Sequence, residues 1–533
     1  MALIGDAAST EWVTIFITCA FLIIPVPTYR LLFHPLAVLP GPKLAALSSW
    51  WQIRKIIAGK PYELALHDRY GPIVRTAPNE VVCNSKEAFE VLYSINILFL
   101  IKLNLIDFDA ESSTSLDKGP WYDGTRLSAS VLELFIRRPH SDGVHLLAET
   151  DMMRYQLIRR SAGPAFTASN LKRFKPKVIE VMQKVCERLH RLNGEEVDTS
   201  EWMHIIVLEC LTSITWSGSP ENILEQGHNH GDLELNLTFW RRTSVLGHLP
   251  TLRVLLDIIP MLRKHIFQIL DLPTSYSSQG IGLPAHIGPS LFKQLLHRIS
   301  SIENPSFENG RDLIEQLLAI HIDKPKFDLD YARGIAGSCV AAGHDTTGSS
   351  LVSILCRICT SPDLQRRVEQ ECRGERVPVG FEDRPSTITS ACVREAMRLH
   401  HVTNFSLSRV APRDGLQLHG YFLPEGTVLG CNPTTFARNT DLFGPDAREF
   451  KPERWLSGDE DHIKTMERYN LLFGGQSRSC PGQNLAKLII SSVVPRLFRN
   501  FDIQVKVPGG GFDNYPPQFW TMLSGSKIRF VSR

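Results

Sequence analysis

The chain has almost no net charge to offer a polyanion. Its 58 Lys and Arg stand against 56 Asp and Glu, a formal +2 over 533 residues. Nothing in that balance points to nucleic acid or to an acidic partner. The chain also lacks internal repeats and any low-complexity linker. The several domains suggested by length alone therefore give way to one large body, with 43% hydrophobic residues for its core. The eleven cysteines are scattered and odd in number. That argues against a disulfide framework and suits a reducing, cytosol-facing compartment. Cys356 and Cys359 form a CxxC on a predicted helix, but no second pair lies nearby to complete a zinc site. No flavin or nicotinamide motif is present.

Long apolar runs are scarce. One, Trp12 to Val26, reaches with its flanks the roughly 17–20 residues that span a bilayer. No Lys or Arg precedes it, whereas Arg30 and Lys43 follow. The positive-inside rule then puts the N-terminus outside the cytosol and the body within it. A secretory signal peptide would want a basic start and a small-residue cleavage site, and neither is present. An interfacial helix is the competing reading, because the run is short and ends at Pro25 and Pro27. Pro35 to Pro42 reads as a stiff, extended connector. Residues 1–34 are thus expected to form a membrane anchor and 35–533 the body. Tyr70 to Cys83 reads as a β-hairpin turning at Pro78-Asn79.

What the chain does have is a glycine-rich loop around one cysteine: Phe473-Gly-Gly-Gln-Ser-Arg478-Ser-Cys480-Pro-Gly482. Leu485, Ile489, Val493 and Leu497 follow at intervals of four, which predicts a helix starting just after Cys480. A helix N-terminus and a neighbouring cation, Arg478, both favour thiolate over thiol. The glycines let backbone approach a flat ligand, and Arg478 can pair with an anionic group on it. A buried structural cysteine is the plain alternative.

A second pattern lies in a helix predicted from about Asp328 to Thr360, ended by Ser361-Pro362 as the next N-cap and N1. Within it runs Ala341-Ala-Gly-His-Asp-Thr-Thr347. Gly343 is costly in a helix interior, so packing or a ligand is expected to require it. The Thr346 hydroxyl can return to the carbonyl of Ala342 and widen the helix into a groove. Asp345 and Thr346 then offer an acid and a hydroxyl side by side. His344 has no partner at i+4 for a metal. Tyr155 and Arg159 share a helix face in the segment Thr150–Arg160. Glu395 and Arg398 stand three apart on another helix, and Arg454 and Arg409 follow further on.

Together these motifs resemble the cytochrome P450 family over nearly the whole chain. The Cys480 loop looks like its haem loop, with Gln476 where the family usually has glycine. The long helix resembles its oxygen-activating helix, and Glu395, Arg398 and Arg454 resemble its buried Glu–Arg–Arg network. The resemblance implies a mainly α fold with small β-sheets, a triangular helical prism. It implies haem b, with Cys480 as axial iron ligand and with Phe473, Arg478, Arg409, Arg159, Tyr155 and Gly343 around the cofactor. Tyr155 stands where the family usually has Trp or His. Asp345 and Thr346 become the catalytic acid and hydroxyl. Cys339, Ala342, Phe405, Leu407 and Trp520 are position-based guesses for the pocket. The run Gly420–Thr427 and the segment Pro452–Trp455 look most like filamentous-fungal members of secondary metabolism.

The implied activity is insertion of one oxygen atom from O2 into a hydrophobic small molecule. With no flavin motif in the chain, electrons must come from a separate NADPH-dependent flavoprotein reductase. The implied location is the endoplasmic reticulum membrane, single-pass, with the body facing the cytosol. Two rivals stand: an isomerase or dehydratase that needs no external electrons, and a non-catalytic membrane-bound haem protein. Measured against the family pattern, about twenty residues near 95–115 are extra for an ordinary loop. A retained intron is the simpler reading, and a membrane-touching insertion by the substrate entrance the other.

Overall fold

The computed structural model describes residues 25–59, 62–93, 117–118, 146–147, 149, 151–218, 240–249, 252, 256, 261–270, 288–374, 387–456, 459–475, 478–507, 520–521 and 523–533. Most of the Trp12–Val26 run, the stretch 95–115 and Gln476 lie outside them. Among the described residues no helix is long and apolar enough to cross a membrane.

The elements that place the site are, in chain order, α1 (Trp50–Ala58), β1 (Ile73–Ala77), β2 (Glu80–Cys83), α2 (Lys86–Tyr93), α3 (Met152–Ala162), α4 (Lys175–Arg191), β3 (Glu196–Asp198), α5 (Thr199–Trp216), α6 (Leu313–Asp323), α7 (Leu329–Cys359), α8 (Ile388–Leu399), β4 (Arg409–Val410), β5 (Leu416–Leu418), β6 (Tyr421–Leu423), β7 (Val428–Cys431), α9 (Gln483–Asn500), β8 (Phe501–Lys506) and β9 (Lys527–Ser532). Helices dominate, and the strands form three small sheets. One has the order β1-β2-β7-β4, one β3-β9-β8, and one is the pair β5-β6. The expected hairpin is β1–β2, antiparallel, with Ala77 opposite Glu80 across the Pro78-Asn79 turn.

The 31-residue α7 is the axis of the fold. Asp328 caps it, its side chain accepting from the Asp330 N–H, and Thr360 ends it. Nearly every residue of α5 is buried, polar ones included. A helix covered on all sides belongs inside the core, and α5 lies along α7 there. Helices α4, α6 and α9 complete this core. A second cluster joins the first sheet to α2, and a third gathers Ile53, Trp240, Val245, Phe405 and Trp520.

One expectation fails locally. The proline-rich connector is not extended: Pro35–Val38 is a turn of 3₁₀ helix capped by His34, and Lys43–Leu47 is a short α-helix. Proline fixes φ at a value that a first helical turn also uses. Arg75 of β1 then ties the segment down, its backbone N–H donating to the Pro40 carbonyl at 2.8 Å and its Nη1 to the Leu36 carbonyl at 3.4 Å.

Candidate active site

The cysteine loop is built by local bonds. Asn470 caps a 3₁₀ turn at Leu471–Phe473. Gly474 follows with φ +79°, in the left-handed region that glycine adopts without strain. At Gly475 an added Cβ would lie 2.4 Å from Tyr93 Cβ, so the loop packs directly on that residue. The Cys480 N–H donates to the Phe473 carbonyl at 2.7 Å and the Arg478 N–H to Gly475 at 3.1 Å. Gly482 is the N-cap of α9, which starts where the spacing predicts.

Cys480 is exposed, although protein surrounds it closely enough for burial to push its thiol up. The Gly482 N–H, Arg159 and the Gln483 N–H act in the opposite direction without overcoming burial. The helix end favours thiolate as expected, through the Gly482 and Gln483 N–H groups, but the expected cation, Arg478, is not the one at work. The cation that acts on the sulfur is Arg159. Arg478 instead lies 5.1 Å from the Tyr155 ring centre and against Met152 Sδ. A metal ion at the sulfur would deprotonate it outright.

Around this loop cations gather on aromatic faces. Arg159 on α3 donates from Nη2 to Ser479 Oγ at 3.1 Å. Its buried Nη1 has no hydrogen-bond partner among the described residues. Arg409 on β4 is 3% exposed, sits over the Tyr93 ring at 5.1 Å, and bonds the carbonyls of Leu407 and Ser408. Its Nε is likewise without a hydrogen-bond partner there. The Lys118 ammonium lies 5.2 Å from the Tyr155 ring centre and donates to the carbonyls of Leu146, Leu147 and Glu149. Tyr155 therefore offers its ring to two cations. Phe473 is half-buried at the edge of the main core, under Lys487.

A buried guanidinium N–H without an acceptor is expensive unless a ligand completes it. Two such groups occur here, on Arg159 beside the Cys480 sulfur and on Arg409 over the Tyr93 ring against which the cysteine loop packs, and backbone N–H groups reach that sulfur. That donor set fits haem, with its two carboxylates and its need for a thiolate.

On α7 the Thr346 hydroxyl donates to the Ala342 carbonyl at 2.8 Å, the local bond anticipated from the sequence. Cys339, Ala342, Gly343 and Thr346 are only partly buried, so this face borders open space. Burial first, then nearby Cys480, pushes the Cys339 thiol up to about 12. Gly343 is small because Leu211 of α5 would lie 2.9 Å from an added Cβ, the packing reason that the sequence allowed. One expectation needs correction. Asp345 does not stand in the groove beside Thr346, since successive helical residues project in different directions. It is 0% exposed, and its carboxylate accepts from His344 Nδ1 at 3.1 Å and Trp240 Nε1 at 3.3 Å.

Of the guessed pocket residues, Ala342, Phe405 and Trp520 do fall in or against one apolar cluster, with Trp240 and Val402. Leu407 packs on the second cluster instead, its carbonyl taking the Tyr93 hydroxyl at 2.9 Å. Tyr93, Lys118, Trp240 and His204 were not found from sequence. Each lies outside a motif and reaches the site through long-range packing. The one available signal was Gly475, whose smallness anticipates a close neighbour.

The chain is 34% identical to the cytochrome P450 monooxygenase sdnT of Sordaria araneosa, over 97% of this chain and 95% of that protein. It is 25% identical to a pisatin demethylase of Fusarium vanettenii, over 90% and 87%. It is 26% identical to the cytochrome P450 monooxygenase cicH of Emericella nidulans, over 89% of both. The Cytochrome P450 family profile matches residues 130–519. That span runs from before Tyr155 to beyond Cys480, with the relatives matched almost end to end, so the chain belongs to the cytochrome P450 family of haem-dependent monooxygenases.

Proposed function

We propose that this P450 inserts one oxygen atom from O2 into a hydrophobic small molecule of fungal secondary metabolism, drawing electrons from an NADPH-dependent flavoprotein reductase. The observation that carries the reading is the Thr346 hydroxyl, turned onto the Ala342 carbonyl on the face of α7 that borders open space. When bound, haem supplies the reductive activation of O2. The chain's own residues hold and serve that chemistry. Cys480 supplies the thiolate, and Arg159, Arg409 and Arg478 supply donors for the two carboxylates. Tyr155 and Tyr93 hold those cations by their ring faces. Thr346 holds a proton at its Oγ1, and Asp345 behind it is the acid that replenishes it. The cluster of Trp240, Phe405 and Trp520 excludes water and accepts an apolar substrate. The names of the fungal relatives support the monooxygenase reading over an isomerase.

The test is Thr346→Ala. The hydroxyl is not a haem ligand, so haem binding stays intact. NADPH consumption continues, but a larger share of it ends as peroxide. A positioned acid–base group contributes about 10²–10⁴-fold, and water partly replaces a lost hydroxyl, so the lower end is expected in product formed per NADPH. Unchanged coupling would remove Thr346 from the mechanism.

We also propose that residues 1–34 anchor the body on the endoplasmic reticulum, facing the cytosol. Tyr29, Leu32, Phe33, Val38 and Leu44 are all exposed just after the apolar run, as a segment lying at a lipid surface requires. Deleting 1–34 should move the protein from the membrane pellet to the supernatant with haem retained. A truncated protein still wholly in the pellet places the anchor elsewhere.

A further inference from the structure

We propose that Trp240 is the positioning residue for Asp345 and ties that acid to the wall of the substrate chamber. The inference rests on the reading of Asp345 as the acid that replenishes Thr346. Trp240 begins a helix at 240–247, outside every motif, and is 1% exposed. Its indole N–H donates to Asp345 Oδ2 at 3.3 Å. A fully buried carboxyl group needs such partners to satisfy its oxygens. Its other oxygen takes His344 Nδ1.

The two donors are held differently. His344 is adjacent to Asp345 on α7, and its ring meets the His204 ring edge-on at 4.9 Å. His204 is pinned in turn. Its Nδ1 donates to the Ser200 carbonyl at 2.7 Å, and its ring fills the place where a Cβ on Gly348 would stand. Burial and then His344 lower the His204 pKa to about 4, so it stays neutral beside the pair. The His344 side is therefore fixed by helix-on-helix packing between α5 and α7.

The Trp240 side is held by a different apolar cluster. The same indole ring lies against Trp520, centroids 4.0 Å apart, in the cluster that holds Phe405 and Val402 and packs on Ala342. Ala342 is also the residue whose carbonyl holds the Thr346 hydroxyl. One ring thus grips the acid with its N–H and packs its face in the apolar cluster proposed to take the substrate. An apolar occupant that shifts the ring loosens Oδ2 and misplaces the acid, so occupancy and proton supply change together. Among the described residues, the groups facing the carboxylate include His344 on its own helix, His204 from α5 and Trp240.

The experiment uses full-length haem-loaded enzyme with a flavoprotein reductase and no added substrate. O2 that takes two electrons and two protons leaves as peroxide. O2 that takes four of each becomes two waters, and only that route cleaves the O–O bond. Peroxide released per NADPH consumed, and the solvent deuterium isotope effect on NADPH consumption, both report proton supply. Trp240→Phe keeps a ring and drops the N–H. It should slow NADPH consumption on the order of tenfold, the weight of one hydrogen bond to a charged group. The isotope effect and the peroxide share should both rise. Binding of 4-phenylimidazole, read from the Soret shift, should stay within about twofold if packing is kept. In an Asp345→Asn background Trp240→Phe should add nothing, because both act through one carboxylate.

If Trp240→Phe loosens the fold, benzothienylalanine at 240 replaces the N–H by sulfur in a ring of the same shape. A parent-like Trp240→Phe, or one whose effect adds in full to Asp345→Asn, overturns the positioning role. A parent-like Asp345→Asn overturns the acid reading beneath it instead.

Discussion

Cys480→Ser should abolish the thiolate-type absorption of the reduced carbon monoxide complex and, with it, all monooxygenase turnover. Sulfur is the only donor at this point of the loop able to push electron density through an axial bond, and a serine oxygen does not replace it. The loop itself should survive. Its shape is set by the Cys480 N–H to Phe473 bond, the left-handed Gly474 and the packing of Gly475 on Tyr93, none of which involves the sulfur. The variant should therefore fold, and its circular dichroism should match the parent. Among the other described cysteines, Cys83, Cys210, Cys356, Cys372, Cys392 and Cys431 are buried, and Cys186 and Cys359 lie at the edge of the main core. Cys339 is the instructive control, since on α7 it feels the charge of Cys480. Cys339→Ser should keep the thiolate spectrum. A Cys480→Ser protein that retains it would make another cysteine the ligand, with Cys339 the first to test.

The parts of this site that were legible in sequence are those fixed by local chemistry. The Thr346–Ala342 bond spans one helical turn, so residue type and spacing suffice to anticipate it. The ends of α7 are set by an aspartate cap and by Ser361-Pro362, and the β1–β2 turn by Pro78-Asn79. The parts that were not legible depend on distant segments. Arg478 and Arg159 are equally basic, and which of them acts on Cys480 is decided by Tyr155 and Met152 drawing Arg478 aside. Asp345 and Thr346 are neighbours in sequence, yet Trp240, 105 residues earlier, supplies the indole donor on the acid's buried side. Gly343 left packing and a ligand both open, because the two demand the same small residue, and only the fold brings Leu211 against it. The proline-rich connector read as extended because its own residues favour that. Arg75, more than thirty positions further on, bonds the Leu36 and Pro40 carbonyls of the folded connector.

Glu395→Ala should cost about 3–5 kcal/mol, since it strands two buried guanidinium groups. Whole-domain stabilities run to about 5–15 kcal/mol, so the loss is a large share of the total. Arg398 reaches both carboxylate oxygens of Glu395, Nη2 to Oε1 at 2.7 Å and Nε to Oε2 at 2.8 Å. Arg454 Nε donates to Oε1 at 2.8 Å and Trp455 Nε1 to Oε2 at 2.9 Å. Arg398 also donates to the Ala447 carbonyl at 2.7 Å and Arg454 to Asp446 at 2.8 Å. These bonds clamp the segment 437–455 onto α8. Burial alone would raise the Glu395 carboxyl, but Arg398 and Arg454 outweigh it and hold it below its ordinary value. Asp446 is held at about 2, by Lys451 first and then Arg454. For a depressed carboxylate the stabilisation is present above the ordinary carboxylate range and is lost as pH falls through the folded-state value. The parent should accordingly lose haem and unfold in acid, with resistance unchanged from neutrality down to the ordinary carboxylate range. Glu395→Gln removes this carboxylate, so its neutral-pH stability should fall towards the parent's acid value and its acid dependence should flatten. Arg454→Lys keeps the charge but loses the fork that spans Glu395 and Asp446, so it should destabilise less than Glu395→Ala. Thermal unfolding followed by haem absorbance at several pH values checks all three. A Glu395→Gln protein as stable as the parent at neutral pH would show that the network contributes nothing to the fold.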